Sequence, residues 1–242
     1  VTGATGYIVY RKGAGKGWGR IADIKSGSTV SYTDTTAASG TTYTYTVRAY
    51  NGNTMGDWHS AKSVMRISDT TLTGASNITS GVQVKWSQVT GATGYIVYRK
   101  GAGKGWARIA DIKNGSTVSY TDTTAASGTT YTYTVRAYNG SMMGDWHSTK
   151  SVKRLSDPKL TSASKVSGGI NVRWTGVTGA TGYIVYRKSG SGSWGRIADI
   201  KSGSTVSYTD RTAKAGTTYT YTVRAYSGST MGDWSSVKVI TR

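Results

Sequence analysis

The sequence has no cysteine, no phenylalanine and no glutamate, and Pro158 is its only proline among 242 residues. The absence of cysteine excludes disulfides, thiol catalysis and thiolate metal sites, and it leaves the compartment open. All eleven acidic residues are aspartate, and the histidines are limited to His59 and His147. No apolar run approaches the roughly 20 residues that a membrane helix needs, so no membrane span is expected.

A repeat dominates what is present. The segment VTGATGYIVYRK occurs without change at Val1, Val89 and Val177, which sets a period of 88 residues. Residues 1–66 and 89–154 differ at only six positions. The period predicts a partial unit at 1–66 and full units at 67–154 and 155–242, each of the latter long enough to bury one modest core.

Each full unit carries strand signals and no helix signals. Residues 42–50 alternate between apolar and polar side chains, as do 82–86 and 170–174. A period of two indicates a strand with one buried face, and threonine, tyrosine and valine suit a pleated sheet. Glycine-rich and Asn-Gly turns separate these segments. About seven short strands per unit predict a two-sheet β-sandwich.

The motifs of each unit resemble a fibronectin type III domain of the kind found in tandem in bacterial surface and secreted proteins. Trp86 and Trp174 match the family's strand B tryptophan, and Gly-Tyr-Ile-Val-Tyr at 94–98 matches its strand C. Residues 120–122 match strand E and 128–137 match the turn and strand F. The resemblance implies an all-β chain of tandem immunoglobulin-like sandwiches.

Three further expectations follow from the resemblance. Tyr43, Tyr131 and Tyr219 occupy the tyrosine-corner position, where the hydroxyl caps the E–F turn. Gly-Asp-Trp at 144–146 resembles the end of the F–G loop. The integrin tripeptide Arg-Gly-Asp is absent, so integrin recognition by that route is not supported.

The first unit aligns from strand C onward and lacks the equivalents of 67–88, which are strands A and B. Strand E, within residues 28–36, would then lose its sheet partners and half the core would be uncovered. We interpret the chain as a window cut from a longer array. The alternative is that another molecule donates the missing pair of strands, and truncation is the preferred interpretation.

No residue pattern indicates catalysis. Asp57-Trp-His59 and its copy at 145–147 resemble half a metal site, but Ser235 replaces the histidine in the third unit, and one pair is too few for zinc. Surface polar residues are the preferred interpretation. We therefore predict no enzyme activity, no metal and no cofactor.

Two other features have simple interpretations. Asp23 and Asp34 could act together in acid–base chemistry, but turn formation and local ion pairs with the nearby Arg20 and Lys25 are preferred. The glycine-rich segment 13–17 lacks the Gly-Lys-Ser/Thr and the following helix of a phosphate loop. It predicts a hairpin loop.

The net charge is +19, and it divides into +5, +6 and +8 over the three units. A basic surface attracts polyanions such as nucleic acid, acidic glycan or an anionic cell-wall polymer. Nucleic acid is not expected, because no recognition motif is present and the extra cations of the third unit are scattered. Those cations are Lys159, Lys165, Arg173, Arg211 and Lys214.

A basic and aromatic face is the strongest candidate site. On strand F the alternation places Tyr43, Tyr45 and Val47 on the inner face, so the outer face carries Arg48 and Tyr50. On strand C the outer face carries Tyr10 and Lys12. Such a face could stack on sugars and attract anions, with avidity from repetition. The alternative is ordinary cross-strand pairing, with arginine over tyrosine.

The neighbouring hairpin adds Lys16, Trp18, Arg20 and Lys25 to this face. The candidate polyanion or glycan face comprises Tyr10, Lys12, Arg48, Tyr50, Tyr98, Lys100, Arg136, Tyr138, Tyr186, Lys188, Arg224 and Tyr226.

The junctions at 67–70 and 155–158 are short and contain no glycine, which predicts a semi-rigid rod. The primary hypothesis is a non-catalytic spacer, stalk or filament segment of an extracellular bacterial surface protein, with the neighbouring repeats of a longer chain as its partners. The alternatives are a binding module for an anionic cell-wall polymer or glycan, and an accessory array of a secreted polysaccharide-degrading enzyme. Lateral self-association also stays open.

Overall fold

The computed structural model describes all 242 residues and consists of β-strands, turns and irregular segments. In residues 1–66 the strands are β1 (Gly6–Gly13), β2 (Gly19–Ile24), β3 (Thr42–Asn51), β4 (Thr54–Met55) and β5 (Lys62–Met65). In residues 67–154 they are β6 (Leu72–Ile78), β7 (Gly81–Trp86), β8 (Gly94–Gly101), β9 (Ala107–Ile112), β10 (Ser119–Asp122), β11 (Thr130–Asn139), β12 (Met142–Met143) and β13 (Lys150–Lys153).

The third unit repeats this order. Its strands are β14 (Leu160–Val166), β15 (Gly169–Trp174), β16 (Gly182–Ser189), β17 (Gly195–Ile200), β18 (Ser207–Asp210), β19 (Thr218–Ser227), β20 (Thr230–Trp234) and β21 (Lys238–Thr241). No helix that could cross a membrane is present.

Each full unit contains two antiparallel sheets. In the second unit one sheet has the order β10-β7-β6, and the other has the order β12-β11-β8-β9 with β13 also paired to β11. The third unit has the same pairings. The last strand of the sandwich is divided into two segments, β12 and β13. The eight segments β6 to β13 therefore correspond to the seven predicted strands. The predicted all-β sandwich is confirmed.

The core of each full unit lies between its two sheets. Tyr133, Val135 and Ala137 of β11 are fully buried, and the apolar residues of β7 belong to the same cluster. Alternate residues of one strand thus supply the core, as the period of two predicts. Trp86 is 3 % exposed and its ring centroid lies 5.3 Å from that of Tyr95.

The predicted tyrosine corners are also confirmed. The backbone N–H of Ala126 donates to the Tyr131 hydroxyl at 3.1 Å, which ties the turn after β10 to the start of β11. The same bond joins Ala38 to Tyr43 and Lys214 to Tyr219. The turn therefore has the same anchor in all three units.

The first unit differs in its second sheet. Residues 28–36 pair with no strand, and the inner face of β3 borders an open groove of about 750 Å³. Val47 on that face is 40 % exposed, whereas its equivalents Val135 and Val223 are fully buried. An unpaired strand segment therefore accompanies an uncovered sheet face here, as the alignment predicts.

Candidate functional site

The outer face of the larger sheet brings together part of the predicted site. On this face β1 and β3 place Tyr10 opposite Thr46 and Ile8 opposite Arg48. Alternate residues of a strand share a face, so the side away from the core carries Tyr10, Lys12, Arg48 and Tyr50. The same register recurs between β8 and β11 and between β16 and β19.

Trp58 joins Tyr10 to Arg48. Its ring centroid lies 4.6 Å from that of Tyr10, and the guanidinium carbon of Arg48 lies 4.9 Å from the Trp58 ring. In the third unit the equivalent Trp234 belongs to β20 and is directly opposite Arg224. In the third unit this tryptophan is therefore part of a strand. At 56–58 and 144–146 the Gly-Asp-Trp segment lies outside the strands, as the predicted loop end does, and its tryptophan still packs on the outer sheet face.

Trp18 extends this arrangement. A register shift at Val9 and Tyr10, typical of a β-bulge, leaves Arg11 opposite Gly19 as the last pair of β1 and β2. The next positions, Lys12 and Trp18, are therefore neighbours. The Lys12 ammonium lies 5.0 Å from the Trp18 ring, and the Trp18 and Trp58 centroids are 6.2 Å apart.

The result is one tryptophan row in each unit: a lysine, two tryptophans and an arginine in sequence, with a tyrosine beside the second tryptophan. The two tryptophan centroids are 5.9 Å apart in the second unit and 6.4 Å apart in the third. The members are Lys12, Trp18, Trp58, Arg48 and Tyr10; Lys100, Trp106, Trp146, Arg136 and Tyr98; and Lys188, Trp194, Trp234, Arg224 and Tyr186.

Sequence reasoning named the tyrosine, lysine and arginine of each row and missed the importance of the tryptophans. The sequence adds Trp18 to the face only through the neighbouring hairpin, and it predicts a loop end for the Gly-Asp-Trp at 144–146, which is equivalent to 56–58. A signal was available, since Arg48 and Trp58 are ten residues apart and the same interval recurs in the other units.

Tyr50 lies outside the row. Its hydroxyl donates to Asp23 at 3.0 Å, and its ring covers Gly6, where an added Cβ would lie 2.3 Å from the Tyr50 ring. Tyr138 and Tyr226 make the same contacts with Asp111 and Asp199. These tyrosines act as cross-strand packing residues. The expected arginine-over-tyrosine contact occurs elsewhere, with Arg11 4.6 Å from the Tyr43 ring.

The two aspartates considered for acid–base chemistry have different partners. Asp23 forms an ion pair with Arg20 at 2.7 Å, as expected, whereas Asp34 pairs with Arg11 at 2.7 Å rather than with Arg20 or Lys25. Arg11 follows Tyr7 and Val9 on the inner face of β1. Its alternation with those residues was the signal that could have identified this pair.

The equivalents of Asp34 form a buried aspartate hub in each full unit. One oxygen of the fully buried Asp122 accepts from Arg99 at 2.6 Å and from the Tyr133 hydroxyl at 2.8 Å. The other oxygen accepts from the backbone N–H and hydroxyl of Thr124 at 3.0 and 2.7 Å. Asp210 repeats all four bonds with Arg187, Tyr221 and Thr212.

The hub predicts loss of stability in acid. Burial alone would raise the pKa of Asp34, but bonds from Thr36, Arg11 and Tyr45 outweigh it and lower the pKa to about 2. The pKa of Asp122 is lowered by the equivalent partners. Because an unfolded aspartate has a pKa of about 3.9, this stability is complete above that pH and lost as the pH falls towards 2.

Urea midpoints measured from pH 7 down to pH 2 test this expectation. The variant carrying Asp122→Asn and Asp210→Asn should have a lower midpoint at pH 7 and a shallower decrease in acid. An unchanged acid slope in that variant would show that other carboxyl groups govern the transition.

The histidine positions do not form a metal cluster. His147 lies 3.8 Å from Asp69 in an exposed pair, and nowhere do three aspartate or histidine side chains converge.

No protein-family model matches the chain. Exoglucanase B of Cellulomonas fimi is 33 % identical over an alignment of 244 positions, gaps included, which covers 86 % of this chain and 20 % of that protein. The chain thus spans about a fifth of the length of this curated relative.

Two solved structures are similar to the chain at lower identity. The FN1–FN3 domains of chicken CNTN1 are 18 % identical, with a TM-score of 0.36 over 98 % of this chain and 89 % of that one. A two-domain fibronectin type III segment of chicken tenascin is 15 % identical, with a TM-score of 0.41 over 73 % of this chain and 99 % of that one.

The fold assignment depends on features of the chain itself. The three-stranded and five-stranded sheets, the buried strand B tryptophans and the tyrosine corners recur with the 88-residue period. The chain is a tandem array of immunoglobulin-like β-sandwiches with the strand arrangement of the fibronectin type III fold.

Proposed function

We propose that the chain is a non-catalytic spacer in an extracellular bacterial protein, with domains at 67–154 and 155–242 preceded by a partial one at 1–66. The observation that supports this most directly is the junction between the second and third units. A spacer holds a distance only if its joints resist bending, and this joint is crossed by many hydrogen bonds.

Asn77 of β6 lies at the centre of the junction. Its side-chain oxygen accepts from the backbone N–H of Leu155 at 3.1 Å, and its amide donates to the carbonyl of Lys153 at 2.8 Å. The same amide reaches the carbonyl of Met231 in the third unit at 3.4 Å. Leu155 is fully buried in the core of the third unit. One side chain therefore holds both units and the connection between them.

Further contacts lie around Asn77. Asp233 accepts from the backbone N–H and hydroxyl of Thr79 at 3.0 and 2.7 Å. The ammonium of Lys153 donates to Ser227 at 2.8 Å. Bonds at several points around a joint oppose bending in more than one direction.

Paired glycines bring the backbones together at the same junction. An added Cβ on Gly179 would lie 2.4 Å from the Cα of Gly128, and both glycines have positive φ angles. Gly91 and Gly40 repeat this approach at the junction of the first and second units. The same close glycine contact at both junctions supports a regular array.

Small-angle X-ray scattering on the full chain tests the proposal. We expect an elongated particle with a narrow distribution of maximum dimensions. Replacing Asn77 and Thr79 by alanine should broaden that distribution, because the junction loses the side-chain bonds of these two residues while each core is untouched. Asn171→Ala is the matched control, since Asn171 bonds only within the third unit. A compact globule, or equal flexibility of the parent and junction variants, would refute a stiff spacer.

A second candidate is an accessory array of a secreted polysaccharide-degrading enzyme. The likeness to Exoglucanase B over 86 % of the chain favours it. The two candidates share the spacer geometry and differ in what the array carries. A glycoside hydrolase domain on the same polypeptide would support the second, and a wall or membrane anchor without one would contradict it.

A further inference from the structure

We propose that the tryptophan rows are binding sites for an acidic polysaccharide, one site in each unit. This inference goes beyond the spacer role, which needs only the junctions. It depends on the exposure of the rows, on the unpaired charges at their ends, and on their repetition.

The row tryptophans are unusually exposed for their size. Their exposed fractions range from 37 % to 52 %, whereas the core tryptophans Trp86 and Trp174 are each 3 % exposed. Two adjacent indoles outside the core form an apolar surface that a folded domain does not need for stability. Aromatic rings with one accessible face can stack against the flat C–H face of a sugar ring.

The row cations are available for an anionic partner. All six arginine–aspartate ion pairs use other arginines, so no carboxylate neutralises Lys12 or Arg48. Arg48 donates only through Nε, to the carbonyl of Gly56, and Arg136 likewise donates to Gly144. The terminal nitrogens of Arg48 and Arg136 therefore remain free for carboxylate, sulfate or phosphate groups, which guanidinium binds well. In the third unit Arg224 also donates to the Gly232 carbonyl through one terminal nitrogen, which leaves its other terminal nitrogen for such a group.

Together these features favour a polymer that has both sugar faces and negative charges. A neutral glucan would stack on the indoles but would leave the cations unused. Single-stranded nucleic acid also combines rings with charge, but its aromatic platforms accompany a continuous cationic groove. Here the rows lie on open sheet faces and the extra cations of the third unit are scattered. An acidic polysaccharide fits best.

Repetition strengthens the inference. The third unit has a different hairpin, Ser-Gly-Ser-Gly-Ser in place of Gly-Ala-Gly-Lys-Gly, and it still forms the complete row. Three weak sites on a stiff chain bind a long polymer more tightly than any one of them does.

Titration of the full chain with polygalacturonate tests the proposal. We expect the polymer to protect the row tryptophans from acrylamide quenching and to bind less tightly as salt rises. Replacing Trp18, Trp106 and Trp194 by alanine should weaken binding at least about tenfold, because all three sites lose an indole.

A matched pair of charge variants separates a defined site from general attraction. Replacing Lys12, Lys100 and Lys188 by alanine removes three charges from the rows. Replacing the exposed Lys62, Lys150 and Lys238 removes three charges outside them. The row variant should bind several-fold more weakly than the control variant.

Three outcomes would overturn the proposal, and they differ from failure of the spacer role, which scattering alone decides. Equal loss in the two lysine variants would indicate non-specific charge. Equal or tighter binding of neutral xylan would remove the role of the cations. Tighter binding of single-stranded poly-dT would identify nucleic acid as the partner class.

Discussion

Replacing Asp122 by alanine is expected to lower the free energy of unfolding of the second unit by about 3–5 kcal/mol. Asp122 is fully buried and accepts four hydrogen bonds, two of them from Arg99 and Tyr133. Without the carboxylate the partly buried guanidinium loses its counter-charge and the buried phenol loses its acceptor. Removing one member of a buried ion pair is far more costly than removing an exposed one.

Hydrogen exchange resolved by unit is the appropriate measurement, because three linked units do not unfold as one two-state system. Peptides from β6 and β7 differ in sequence from those of β14 and β15, so each unit can be followed separately. Asp122→Ala should reduce protection in β7, which pairs with β10 next to the substitution. Asp210→Ala should do the same in β15 and leave β7 protected.

An exposed ion pair provides the control. Asp111→Ala removes the ion-pair partner of Arg108, whose side chain is 53 % exposed, and the acceptor of the exposed Tyr138 hydroxyl, and should cost about 1 kcal/mol. Tyr133→Phe removes one hydrogen bond of the hub and should cost about 1 kcal/mol, since the ring remains packed. Equal effects of Asp122→Ala and Asp111→Ala would contradict a structural role for the hub.

The sheet faces could be predicted from the sequence because alternation is a local property of a strand. Spacing alone predicts which face of the sheet carries each side chain: the inner face for Tyr43 and Val47, and the outer face for Arg48. The tyrosine corners followed from the family pattern and needed no knowledge of distant contacts. The open face of the first unit followed from aligning the repeat with itself.

The composition of the site was harder to predict, since it depends on which segments become neighbours. Trp58 lies in the segment between β4 and β5, the two halves of the final strand, and this break places its ring beside Tyr10. Trp18 meets Lys12 because a bulge shifts the register of the adjacent hairpin. Neither the break nor the bulge has a signature in alternation. The sequence therefore predicts the cations, the tyrosines and a nearby Trp18, but not the position of Trp58 between Tyr10 and Arg48.

The spacer and the tryptophan rows are compatible within one molecule. The contacts of Asn77 and Gly179 lie at the ends of the sandwiches, whereas each row lies on the outer face of a five-stranded sheet. The joint and the row approach each other in the third unit, where the junction residue Asp233 directly precedes the row residue Trp234. Stiff joints would in turn keep successive rows at a fixed separation, which is the condition under which repeated weak sites gain most from avidity.

Replacing Trp86 by alanine should destabilise the second unit by about 3–5 kcal/mol, because it removes the largest side chain that strand B contributes to the core. Trp86 is 3 % exposed and packs against Tyr95. No protein atom accepts a hydrogen bond from its indole N–H. Trp86→Phe therefore loses packing volume but no hydrogen bond, and its cost should be on the order of 1 kcal/mol.

Calorimetry and exchange of the β6–β7 peptides measure both substitutions. The matched control is Trp106→Ala, which removes an exposed row tryptophan and should cost less than about 1 kcal/mol. Trp174→Ala should destabilise the third unit by a similar amount, and the effects of the two core substitutions should add, because the residues belong to separate cores. If Trp86→Phe proved as costly as Trp86→Ala, the indole N–H would have to be bonded in solution, and the strand B position would require tryptophan for its polar atom as well as its size.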